Sequence, residues 1–113
     1  MKKRTGFVSN SSTSSFIVLA CKVSDDILTP SMRESLIEKG LLLTNEGEEF
    51  LGKVLWSASD DSGYETMNFH EFRDRMAETY GTIYAKASEL GIKAPVEVIY
   101  GVAYEGGFSE VDE

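Results

Sequence analysis

The spacing of apolar and polar positions changes several times along the chain, and each change marks a predicted element. Residues 16–23 read FIVLACKV, a continuous apolar run rich in branched side chains. Such a run predicts a central strand covered on both faces. The next segment, SDDILTPSMRESLIEKG, has a helix start at Thr29 and Pro30, a hydroxyl cap followed by proline at the first helical position. Met32, Leu36 and Ile37 form its inner stripe, and Gly40 after Lys39 supplies the stop. A turn is expected at Asn45 to Gly47 and a strand at Phe50 to Ser57. Along that strand Phe50, Val54 and Trp56 alternate with Leu51, Lys53 and Leu55, so its two faces do not separate cleanly.

Residues 57–67, SASDDSGYETM, read as a long loop. A second helix begins after Asn68, with Glu71 at the capping-box spacing. Phe69, Phe72, Met76, Tyr80, Ile83, Tyr84, Ala87 and Leu90 recur at threes and fours and predict its inner face, and Gly91 ends it with Pro95 beyond. From Val96 to Tyr104 the period becomes two, with Val96, Val98, Tyr100, Val102 and Tyr104 on one side. EGGFSEVDE then reads as an acidic tail hinged on glycines. The order is β-α-β-α-β, with a further short strand considered at Gly6 to Val8. The expected fold class is α+β: a small sandwich, one sheet of three or four strands, mixed or antiparallel, with two helices on one face. The expected divisions are a Ser-rich motif over 1–15, the α+β domain over 16–105 and the acidic tail over 106–113.

A chain of 113 residues with 42% hydrophobic content is enough for one domain with its own core. The net charge is −8, although Lys2, Lys3 and Arg4 stand together at the start, so the rest is more acidic still. Such a body repels phosphate, which disfavours direct nucleic-acid binding and fits a partner with a basic surface. One cysteine, Cys21, rules out an internal disulfide and fits a reducing compartment. VLAC at 18–21 matches a lipoprotein cleavage box, but only five apolar residues precede its end, against the roughly 7–15 of an export signal. No run reaches the roughly 18 apolar residues of a membrane span, so no membrane partner is expected.

Little in the chain points to catalysis. His70 is the only histidine and falls in the first turn of the second helix, where a solvated role is expected. One Cys and one His cannot close a zinc site within a monomer. Neither G-x-x-x-x-G-K-[ST] nor G-x-G-x-x-G occurs. Cys21 lies in the most apolar strand and reads as a buried thiol. No cofactor is therefore expected. Asp60, Asp61 and Glu65 cluster in the long loop without calcium-loop spacing, flanked by Trp56 and Tyr64. Aromatic rings beside acids suit a basic partner, so Asp60, Asp61 and Tyr64 are candidate binding residues.

The remaining stretch is GFVSNSSTSSF, residues 6–16. Ser and Asn bond their own backbone and favour turns. With Phe7-Val8 and Phe16-Ile17 as apolar anchors, the stretch reads as a displayed loop pinned at both ends. Ser9, Asn10, Ser11, Ser12, Ser14 and Ser15 are candidate binding residues, for a partner, for an anion or for hydroxyl modification. MKKRTGFVSNSSTSSFIV resembles the opening of small proteins of tailed bacteriophages and some bacteria, M-K-x-R-x-G-F-V-S-N-S-S-S-S-S-F, with Thr13 where serine is usual. The resemblance covers Met1 to Val18 and implies a phage or prophage accessory gene acting in the host cytoplasm. The expected function is binding and modulating a host protein or assembly without catalysis. The alternatives are a ligand- or phosphate-binding protein or enzyme using the hydroxyl loop, and a minor virion component.

Overall fold

The structure is a computed structural model and describes residues 13–24, 26–59, 66–104 and 107–111. Its elements are β1 (Thr13–Val23), α1 (Pro30–Lys39), β2 (Leu42–Asn45), β3 (Glu48–Ser59), α2 (Phe69–Leu90), β4 (Glu97–Tyr104) and β5 (Ser109–Glu110). The five strands form one sheet in the order β4-β1-β3-β2-β5, with every pairing antiparallel. Both helices pack on one face. The class is the α+β sandwich expected, and the sheet has five strands rather than three or four. The two extra strands are β2 and β5, both short, and neither offers enough alternation for a period to register.

Local chemistry explains the boundaries. At α1 the Thr29 hydroxyl accepts from the Met32 amide at 3.2 Å and Pro30 fills the first position, while Gly40 closes the helix at φ 70°. At α2 the Asn68 side chain accepts from the amides of His70 and Glu71. The β2–β3 hairpin turns on Glu46 and Gly47, both at positive φ (51° and 84°), the two-residue turn whose twist suits flanking strands. Arg33 of α1 pairs with Glu49 of β3 and ties the helix to the sheet. Gly52 is forced by a close approach: a Cβ there would overlap the Cβ of Ala20 and the carbonyl oxygen of Leu19 on β1.

β1 is central, as expected, with β4 on one side and β3 on the other. Its odd positions, Leu19, Cys21 and Val23, join Leu36, Leu42, Leu51, Leu55, Ile83 and Ala87 in the core beneath the helices. Its even positions, Phe16, Val18 and Ala20, form a second cluster with Leu43 and Phe108 on the opposite face. The chain leaves β4 at one edge of the sheet and reaches β5 at the other within five residues. On the way, Phe108 sets its ring edge-on against Phe16 and Phe50, with centroids at 5.4 and 5.2 Å.

Two expected boundaries move accordingly. β1 begins at Thr13, inside the segment read as a separate 1–15 motif. The segment read as a tail over 106–113 buries Phe108 and pairs Ser109 and Glu110 with Thr44 and Leu43. The inner face of α2 also differs from its sequence stripe. Ile83 and Ala87 are buried, and Phe72, Met76 and Leu90 pack against the core, but Phe69, Tyr80 and Tyr84 are exposed. On β4 the side carrying Val98, Tyr100 and Val102 is largely open.

Candidate partner-binding cleft

A break in the sheet's register sets up the site. Ile17 stands opposite Trp56, but the next residue, Val18, stands opposite Val54, so Leu55 is an extra residue on β3. Before this bulge, Phe50 and Val54 point to the face carrying Phe108, and Leu51 points to the helices. After it, Trp56 stands opposite Ile17 and so shares the helix side with Leu55. The mixed faces of this strand in the sequence are the signature of the bulge.

Among the described residues, Ile17, Trp56, Thr66, Met67 and Phe72 line a cleft of about 230 Å3. Met67 and Phe69 are exposed at this end of α2, Phe69 at 71%. The cleft is below the roughly 300–1,000 Å3 of a small-molecule or cofactor pocket, and its size suits one large side chain. A second hollow of about 340 Å3 lies toward the other end of α2, between Tyr80, Tyr84 and the residues Ala94 to Val96. Lys93 and Ser88 line it as well, so it is less apolar.

Ser14 and Ser15 are not in a displayed loop: Ser14 pairs with Ser59 and Ala103, and Ser15 with Ala58 and Val102. The apolar strand simply extends three residues further than its composition indicates, because neighbours on both sides hold their backbone hydrogen bonds. Ser9, Asn10, Ser11 and Ser12 lie outside the described residues, as do Asp60, Asp61 and Tyr64 and the strand considered at Gly6 to Val8. Thr13 stands opposite Tyr104 and Ser14 opposite Ser59. Thr13, at the start of β1, and Ser59, at the end of β3, therefore stand at the same end of the sheet, and Thr66 lines the cleft. Sequence reasoning flagged Trp56 as a neighbour of the acids, and missed Ile17, Met67 and Phe72 as its companions, which only the bulge and the helix packing bring together.

His70 is exposed, its ring edge-on to Phe69 at 5.7 Å. Among the described residues no three His, Cys, Asp or Glu side chains gather as metal ligands. No described helix is long and apolar enough to cross a membrane.

Cys21 is buried beneath the helices, and burial raises its thiol pKa. A thiol kept protonated in the folded state leaves stability unaffected below the unfolded thiol's value of about 8.5 and lowers it as pH rises beyond that, up to the raised folded value. The expected outcome is no labelling of Cys21 by aromatic disulfide reagents at pH 7.5 until denaturant is added. Labelling of the native protein at the rate of an unfolded thiol would show that the centre of β1 opens readily.

No protein family, curated protein or solved structure matches the chain.

Proposed function

We propose that the chain is a non-catalytic accessory protein, of the kind implied by its phage-like opening, that binds a host protein or assembly and modulates it. The observation that carries the reading is the Trp56 cleft, with Met67 and Phe69 exposed at the same corner. Interface energy concentrates in a few aromatic anchors seated in small desolvated pockets, and an unbranched thioether adapts to the shape placed against it. On α2 the exposed Glu71 and Asp74 are balanced by the exposed Arg73 and Arg75, with Arg73 paired to Asp74, and the acidic excess lies in sequence at Asp60, Asp61 and Glu65 in the preceding connection. The partner is therefore read as an apolar side chain set in a basic surface, steered by charge and held by the cleft.

Trp56 is the sole tryptophan and reports on the cleft directly. The expected result is stoichiometric capture of one host protein by the immobilised chain, and a change in Trp56 emission when that protein is purified and titrated in. A Met67→Glu, Phe69→Glu double variant should weaken binding roughly 30-fold, the loss of a hot spot. Both side chains are exposed, so its melting temperature should stay close to the parent's. Equal capture by the double variant would remove the cleft from the proposal, and capture of nothing by the parent would remove the accessory role.

A further inference from the structure

We infer that two copies of this chain join through their β4 edges, making one continuous ten-stranded sheet. The inference goes beyond the partner reading and does not depend on it.

Sheet edges are normally protected by being short, charged, bulged or covered. The edge at β5 meets the first condition, with two residues. The edge at β4 runs for eight, EVIYGVAY, with no lysine, no proline and one charge, at Glu97. It pairs with β1 through an unbroken register and, among the described residues, with nothing on its outer side. Val98 stands opposite Leu19, Tyr100 opposite Ile17 and Val102 opposite Ser15, so these three point to the helix side. Among the described residues neither helix packs closely on β4: α2 lies over β1 and β3, and α1 beside β2. Tyr100 is 76% exposed, Val102 60% and Val98 48%.

The strand is symmetric about Tyr100. A two-fold axis through that residue and normal to the sheet places Tyr100 opposite its counterpart and Val98 opposite the second copy's position 102. Both helix layers then stay on one side, and the valines and tyrosines of the two strands form one apolar row. Glu97 falls opposite position 103 of the second copy, so no like charges meet. Tyr80 and Tyr84, stacked at 5.8 Å, share a hollow with Ala94, Pro95 and Val96, the residues that lead into β4. At about 150–250 Å2 for each full aromatic side chain, the three tyrosines and two valines leave on the order of 500 Å2 open, toward the upper end of the roughly 300–600 Å2 typical of a monomer's largest apolar patch. Two such patches bury on the order of 1,000 Å2, where specific interfaces begin, and the paired main chain adds to it.

The test is mass by light scattering at tens of micromolar, with site-directed cross-linking on the full chain. The parent should show twice the 12.5 kDa chain mass. Val98→Lys with Val102→Lys, both at open positions, should show the single mass with unchanged circular dichroism. Tyr100→Cys should form a disulfide between copies on adding a mild oxidant, since directly opposed Cα atoms lie about 4.5–5.5 Å apart, within disulfide reach. Val98→Cys alone should not, being about 13 Å from its counterpart in this register. Buried Cys21 does not compete. A parent of single mass overturns the inference, and slow exchange of the outward β4 amides in that monomer would show the edge covered by the chain's own residues. A dimer that survives the double lysine change, or that links Val98→Cys as fast as Tyr100→Cys, also overturns it. The Met67 and Phe69 variant should keep the dimer mass, which separates this result from that of the cleft.

Discussion

Ile83→Asp is expected to abolish folding, whereas Tyr80→Asp, three residues earlier on the same helix, should leave a folded protein. Ile83 is fully buried between α2 and the sheet, in the cluster containing Leu19, Leu51 and Leu55. An aspartate there loses the burial of a large aliphatic side chain, about 2–5 kcal/mol by itself. It also carries into the core a carboxylate with no cation beside it, or stays neutral by taking up a proton at further cost. The total is comparable with the roughly 5–15 kcal/mol that holds a domain together. Tyr80 is about half exposed within one chain, so a charge there remains hydrated in the monomer, and measured in dilute solution the change should stay within about 1 kcal/mol. Far-ultraviolet circular dichroism and urea titration of the two variants check this. Equal loss in both would restore Tyr80 to the inner face, as the sequence stripe has it.

That contrast shows what a helical stripe can and cannot convey. Residues 69, 72, 76, 80, 83, 84, 87 and 90 span an arc wider than the sheet beneath α2 can cover. Only the line through Phe72, Met76, Ile83, Ala87 and Leu90 meets the core. The tyrosines fall to the β4 side because α2 lies over β1 and β3, a position set by tertiary packing and invisible to periodicity. Local signals were legible for a local reason. Thr29-Pro30, Asn68, Gly40 and Gly91 act through their own backbone, and each terminates its helix where the chemistry predicts. The class followed from those stops and from the branched residues of β1.

The site was legible to a lesser degree. Trp56 drew notice only because acids and a tyrosine follow it. Its orientation depends on the extra residue at Leu55, and a bulge leaves in sequence nothing more than an alternation that fails. At Ser14 and Ser15 the loop reading failed for a different reason. Ser14 and Ser15 carry turn-forming side chains, yet a central strand with partners on both sides overrides that preference. On β4, alternation puts Val98, Tyr100 and Val102 on one side, as the register has them, but it says which residues share a side and not whether anything covers it.

Phe108→Ala should cost about 3–5 kcal/mol, the loss expected for a buried phenylalanine, although its surroundings read as an acidic tail. The ring is 3% exposed and meets Phe16 and Phe50 edge-on, at interplanar angles of 63° and 64°. That geometry brings the positive edge of one ring to the face of the next and contributes beyond area alone. Nothing else in the sequence 105–113 is aromatic, so no neighbouring side chain can take its place. Its removal would also open Phe16, Val18 and Leu43 to water on the face without helices. A melting temperature lowered by roughly 10 °C or more is expected, at the 4–8 °C per kcal/mol typical of domains near this size. Binding of a hydrophobic dye should rise with it, since the uncovered cluster is apolar throughout. Phe108→Leu should recover much of the loss by keeping the cluster covered, without restoring the edge-on contacts. A Phe108→Ala protein that melts with its parent and binds no dye would return residues 107–111 to the status of a tail, and the sheet would then end at β2.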